Sequence, residues 1–217
     1  MSESNEIVVS FLIVDIAGFT ALTEIHGDYS AFKLVDKYIQ IVNDSLNPEV
    51  FLVERKGDEF LIVSDCSDCL IKTALCLLKN VENIKNFPTI HIGLHIGKVI
   101  ESGGKYYGHT LNLTSRISQH SNGGEILCSE EFLRNTKNKE LYNFIPKGKI
   151  KFKNVMKPIT LYSILPEIQN VNLAIDPICK MQIHILDTSF KYTNNQHEYY
   201  FCSQDCLEKH RQLVNEN

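Results

Sequence analysis

The sequence predicts an α+β fold, and three observations carry that expectation. Residues 7–14 form an apolar run rich in Val and Ile, interrupted by Ser10, which reads as a buried strand. Phe32, Val35, Tyr38, Ile39 and Val42 recur at three- and four-residue steps, the spacing of one helix face. Residues 50–54 and 60–63 flank Lys56-Gly57-Asp58, giving a strand, a tight turn and a second strand. Hairpins interleaved with helices fit an α+β sheet with helices packed on it better than a doubly wound parallel sheet.

The remaining elements follow in order. Helical patterning begins after Gly18 and breaks near Gly27. Helix period returns over 70–81. Residues 89–95 and 98–101 read as a second hairpin turning at Gly97, and a helix is expected over 110–120, ended by Gly123-Gly124. Residues 166–175 begin with Pro and carry no firm period, so they read as a linker. The expected organisation is a first domain at 1–165, that linker, and a small cysteine-containing module at 176–217.

Composition narrows the function. Lys+Arg 22 against Asp+Glu 26 leaves a net charge of −4 without a long run of one sign. A nucleic-acid binder needs clustered Lys and Arg for phosphates, so none is expected as a partner. The polar, acidic Met-Ser-Glu-Ser-Asn-Glu start is unlike a signal peptide, and the longest apolar stretch is too short to span a bilayer. A cytoplasmic chain that does not engage a membrane is therefore expected, in which seven cysteines serve as thiols or metal ligands rather than disulfides.

Two aspartates stand at strand mouths, Asp15 in FLIVDIAGFT and Asp58 in KGDEF. A carboxylate closing an apolar strand is costly to bury unless paired or bound to a cation. Two of them on neighbouring strands could hold the two ions of phosphoryl chemistry, and Gly18 would let the backbone approach a phosphate. Either aspartate alone could simply cap a turn. Asn112 and Arg116, in YGHTLNLTSR, lie four apart on one helix face, suited to orienting a sugar and meeting phosphate charge. Alone, that pair would read as an ordinary polar helix face.

Taken together, FLIVDIAGFTALTE, VERKGDEFLIV, HIGLHIGKVI, YYGHTLNLTSRI and GGEILCSEEF resemble the class III adenylate and guanylate cyclases, in order and spacing. KGKIKFKNVMKPITLYSIL resembles that domain's closing strands, so the likeness covers about residues 7–165. The resemblance implies a two-metal mechanism using two Mg²⁺ or Mn²⁺ ions. Asp15 and Asp58 would hold the ions, Gly18 and Phe19 would lie at the substrate, Asn112 would orient the ribose, and Arg116 would meet the transition state. It also implies a homodimer whose two sites each draw on both protomers.

The base-recognition positions depart from the adenylate cyclase pattern. Glu54 stands where Lys is usual and Lys105 where Asp is usual. Guanine offers a donor at N1 and an acceptor at O6, which Glu and Lys complement, so the exchange points to GTP rather than ATP. Alternatively the two residues pair together or face solvent, and a one-residue shift would bring in Arg55 or Lys56.

The C-terminal DPICKM and YYFCSQDC segments resemble a YHS domain, with Cys179, Cys202 and Cys206 spaced C-x22-C-x3-C. Three thiolates suit Zn²⁺ or Cu⁺, and about 40 residues fold marginally without such help. Met181, His184, His197 and His210 are open as a fourth ligand. The alternative reading is that these cysteines are plain buried packing residues, as is common for Cys. Cys66 and Cys69, lacking a second such pair, read as structural or incidental, and His91 and His95 as packing on a strand. The enzyme reading, with the module tuning activity by metal or redox state, stands against two others: a catalytically silent cyclase fold that binds nucleotide or senses metal, and a metal chaperone built on this scaffold.

Overall fold

The computed structural model describes residues 5–166, 172–194 and 197–215. Its first part runs β1 (Asn5–Ile16), α1 (Phe19–His26), α2 (Asp28–Ser45), β2 (Phe51–Lys56), β3 (Glu59–Ser64) and α3 (Ser67–Glu82). It continues through β4 (Ile90–Ser102), β5 (Lys105–Tyr107), α4 (His109–His120), β6 (Ile126–Ser129), α5 (Glu130–Asn135), β7 (Asn143–Ile150) and β8 (Ile159–Leu165). These strands form one sheet in the order β2-β3-β1-β4-β6-β8-β7, with β5 paired onto β4. Every neighbouring pair is antiparallel except β4 and β6, and α4 lies in the crossover between those two. The α+β expectation holds.

Side-chain alternation along β1 divides the core between the two sheet faces. Leu12 and Val14 join Tyr38, Leu70 and Leu77 in the main cluster under α2 and α3. Val9 and Phe11 join Val63 and Val99 on the other face, where Leu111 of α4 packs. Next to it, Leu113 and Ile117 of α4 pack on Leu127 and Leu161.

The expected hairpin at Gly97 is absent; β4 is one continuous strand through that position. Gly97 is there for clearance rather than for turning. A Cβ on it would stand 2.6 Å from Thr110 Oγ1, and that hydroxyl donates to the Lys98 carbonyl at 2.6 Å. A Cβ on Gly93 would run into the backbone of Ser118. Two glycines thus let α4 lie directly on β4.

The expectation that all cysteines are unpaired also needs correction. Cys66, the N-cap of α3, is disulfide-bonded to Cys69 in the first helical turn, with Cα atoms 5.3 Å apart. That separation is ordinary for a bridge. The other five cysteines are free.

The C-terminal segment comprises β9 (Leu173–Ile175), β10 (Gln182–His184), β11 (Lys191–Asn194), β12 (His197–Tyr200) and α6 (Gln204–Asn215). Of the expected linker, 167–171 lie outside the described residues and Leu173–Ile175 are a strand, because 182–184 supply its antiparallel partner. Three residues are too few to show a period in the sequence.

The segment packs on the first part of the chain. Gln182 N–H donates to the Phe87 carbonyl at 2.9 Å, and Thr89 N–H to the Lys180 carbonyl at 3.0 Å. Leu22 of α1 and Ala31 of α2 share one apolar cluster with Cys179, Met181, Phe201, Cys206 and Leu207.

Candidate active site

Strand β1 carries Asp15 to the edge of the core, opposite His91 of β4. The turn between β2 and β3 brings Asp58 to the same place, where its carboxylate accepts the Ile16 N–H at 3.3 Å. Asp15 Oδ1 is buried and has no hydrogen-bond partner. Burial first, then the charges of Asp58 and Glu59, push the Asp15 carboxyl up to about 7. Burial likewise raises Asp58 and Glu59.

Beneath them the Tyr38 hydroxyl is buried without a partner, and burial and then the two aspartates push its ionisation far upward. Three carboxylates sharing one desolvated corner repel one another, and an oxygen left without a donor is the ligand a hard divalent cation takes. The unpartnered Asp15 oxygen beside Asp58 suits a hard ion such as Mg²⁺ or Mn²⁺. Glu59 was not foreseen, although its place beside Asp58 in the sequence was a usable signal.

The chain leaves β1 through Gly18, whose φ of +67° is left-handed and which forms the N-cap of α1 without a side-chain cap. Leaving the first N–H groups of a helix uncapped suits an anion. Phe19, half-buried, packs between the main core and the C-terminal cluster.

Asn112 and Arg116 share a face of α4; Asn112 is exposed and Arg116 half-buried. Asn112 lines a recess with Ile13, Glu54, Lys56, Glu59 and Ser115. Glu54 and Asn112 are therefore brought together, while Asp15, Asp58, Arg116 and Lys105 do not line that recess. Lys105 stands exposed on β5 opposite Ser102. The lysine beside Glu54 is Lys56, two residues along the same strand, and sequence reading had named it only as the product of a register shift. A register irregularity does lie between Leu52 and Glu54.

His91 and His95 are packing residues, each with Nδ1 on a serine hydroxyl, Ser121 at 3.2 Å and Ser129 at 2.7 Å. Burial lowers His95 to about 4.

In the C-terminal segment, Cys202 Sγ lies 3.5 Å from Cys179 Sγ and 3.7 Å from Cys206 Sγ. The histidine gathered with them is His26, the last residue of α1, whose Nε2 is 3.5 Å from Cys202 Sγ. His184, His197 and His210 stand outside this group. The His210 ring packs instead against Tyr192, Tyr199 and Phe201, and Met181 packs in the same apolar cluster as Cys179 and Cys206.

Residues 1–166 match the adenylate and guanylate cyclase catalytic domain. The chain belongs to that family.

Among relatives, a pH-sensitive adenylate cyclase of Mycobacterium tuberculosis is 25% identical over 127 residues, 58% of this chain and 32% of that protein. An adenylate cyclase of Streptomyces griseus is 27% identical over 121 residues, 55% of this chain and 30% of its own. This cyclase-family chain thus spans about a third of the length of those relatives. The fold agrees with solved structures. A Trypanosoma brucei adenylate cyclase matches with TM-score 0.67 at 17% identity, covering 76% of this chain and 91% of that one. The guanylate cyclase domain of a Catenaria anguillulae protein, solved with GTP, matches with TM-score 0.62 at 22% identity, covering 76% and 98%. Among the described residues, no helix of this cyclase-family chain is long and apolar enough to cross a membrane.

Proposed function

We propose that the chain is a cytoplasmic nucleotidyl cyclase that converts a nucleoside triphosphate to a 3′,5′-cyclic nucleotide and pyrophosphate. The observation that carries this reading is the unpartnered buried oxygen of Asp15 beside the charges of Asp58 and Glu59. Mg²⁺ or Mn²⁺ held by Asp15 and Asp58 would supply Lewis acidity to the attacking 3′-oxygen and charge neutralisation to the phosphates.

The chain's own groups do the rest. The N–H groups at Gly18 and Phe19 receive phosphate oxygens. Asn112 orients the ribose so that the 3′-hydroxyl lies in line with the α-phosphorus, and Arg116 meets the charge that builds there as pyrophosphate leaves. The family resemblance implies a homodimer in which each site takes its carboxylates from one protomer and Asn112 and Arg116 from the other.

Guanine is the favoured base. Glu54 shares the Asn112 recess and would accept from guanine N1–H, with a lysine ammonium donating to O6. Lys56, exposed like Lys105 but lining the recess with Glu54, is placed to supply that ammonium. Relatives of both specificities exist, the adenylate cyclases above and guanylate cyclase beta of Plasmodium falciparum, 28% identical over 152 residues, 57% of this chain and 5% of that protein. The C-terminal segment is read as a YHS-like metal-binding module, using Cys179, Cys202 and Cys206 for Zn²⁺ or Cu⁺ and tuning the cyclase.

The test is product formation by the purified full chain with ATP and GTP in parallel under Mg²⁺ or Mn²⁺. Cyclic product that prefers GTP supports the reading. Preference for ATP would reject the Glu54 argument alone. No product from either nucleotide in a verified dimer would leave a silent nucleotide-binding fold.

A further inference from the structure

We propose that His26, Cys179, Cys202 and Cys206 form one tetrahedral zinc site that latches helix α1, and with it the loop at Gly18, to the C-terminal module. The four ligand atoms all lie within 4.8 Å of one another. With Zn–S near 2.3 Å and Zn–N near 2.0–2.1 Å, the corners of a tetrahedron stand about 3.8 Å apart for two sulfurs and about 3.5 Å for sulfur and nitrogen. The observed separations of 3.5 Å and 3.7 Å between sulfurs, and 3.5 Å from Cys202 Sγ to His26 Nε2, match those edges. Disulfide sulfurs would stand at about 2.05 Å. Three soft sulfurs and one imidazole select zinc over the hard cations of the carboxylate corner.

The surroundings hold the ligands in place. The fully buried Asp176 accepts the N–H groups of Ile178 at 2.8 Å and Cys202 at 2.9 Å, and of Cys179 at 3.4 Å, tying two ligand loops together. Cys206 lies in the first turn of α6, four residues after Cys202, and its N–H reaches Ser203 Oγ at 3.3 Å. Leu22, Ala31, Phe201 and Leu207 close an apolar wall around the group. Packing alone would account for small buried thiols, but not for an imidazole nitrogen brought against them from 176 residues away.

The same helix explains what the latch controls. Helix α1 is eight residues long, about 12 Å, with His26 at its end and Gly18 at its start. A Cβ on Gly18 would come within 2.7 Å of Lys180 Cγ and 3.5 Å of the Cys179 carbonyl. Both ends of α1 therefore touch residues 179–180 or their metal partners. Zinc fixes the position of α1 and so the geometry of the loop read above as the phosphate cradle.

The inference rests on the cysteines as ligands and not on cyclase activity, so its test reads metal directly. The purified full chain should carry one zinc, and its Co²⁺-substituted form should show the visible bands of a tetrahedral thiolate site. His26→Gln should weaken zinc binding by at least about 100-fold, since outer-sphere partners alone are worth 10–100-fold. His184→Gln and His197→Gln should leave it unchanged. His26→Cys should restore tight binding with stronger sulfur-to-cobalt charge transfer, which keeps the test valid if His26→Gln folds poorly. Chelating zinc should raise hydrogen exchange across residues 18–26. Zinc affinity in His26→Gln equal to that of the parent chain would overturn the proposal, as would a chain that binds no zinc or a cobalt spectrum indifferent to position 26.

Discussion

At the N-terminal end of α1, Asp15, Asp58 and Glu59 crowd into one corner, with a carboxylate oxygen left unpartnered. At the C-terminal end, three thiols and an imidazole meet inside an apolar cluster. Both gather polar atoms that would be unfavourable in isolation. They differ in access. The carboxylates stand at the mouth of the sheet, half-buried, as suits an ion that must also touch a substrate. Cys179 and Cys206 are fully buried, and a closed set of four protein ligands is the mark of a structural ion. Hard and soft donors separated by one short helix would let two kinds of cation bind without exchanging places.

The largest effect expected is at the first end. Asp58→Ala should lower cyclic nucleotide formation by more than about 10³-fold while leaving the zinc content of the chain at its parent value. Zinc lost together with activity would show that the two centres are not independent. Next comes Arg116→Ala, expected to reduce kcat by about 10²–10³-fold with little change in KM. A change confined to KM would assign Arg116 to ground-state binding.

A smaller effect sharpens the link between the two ends. Gly18→Ala places a Cβ at positive φ and against Lys180, and thermal denaturation should report a loss of roughly 1–2 kcal/mol. Lys180 itself has φ +60°, so adding Lys180→Gly removes its strain and the contact and should recover part of the loss. A recovery no larger than the gain from Lys180→Gly alone would mean that the two residues do not bear on each other.

The smallest prediction lies outside both centres. His95 is held neutral, with a folded pKa of about 4 against an ordinary 6.5. Its contribution to stability is complete above pH 6.5 and is lost as pH falls toward 4, on the order of 3 kcal/mol in all. Replacing it with Gln should flatten the stability profile between pH 6.5 and 4, measured by denaturant titration. An unchanged acid limb would assign it to other groups.

The readable features of this chain were those written in neighbouring residues. The apolar run ending at Asp15, the turn at Lys56-Gly57-Asp58 and the Asn112/Arg116 pair are short-range patterns, and each element formed where its period predicted. Gly97 misled because glycine reports permission without saying for what, and a turn and a close helix contact look alike in sequence. His26 was missed because it reads as an ordinary residue at a helix end, and only the fold carries Cys202 to it. Lys56 needs no register shift: two residues beyond Glu54, it shares that residue's face of β2 and lines the recess with it.

The hydrogen bonds from residues 87–89 to 180–182 also set an order of assembly. Every contact of the C-terminal segment with α1 or with the start of β4 closes a loop of about 90 residues or more, and such contacts form late. During synthesis the sheet can be complete while α6 is still unmade. The newborn cyclase domain would then spend its first seconds with α1 unlatched, until the later-made residues 176–206 dock against it.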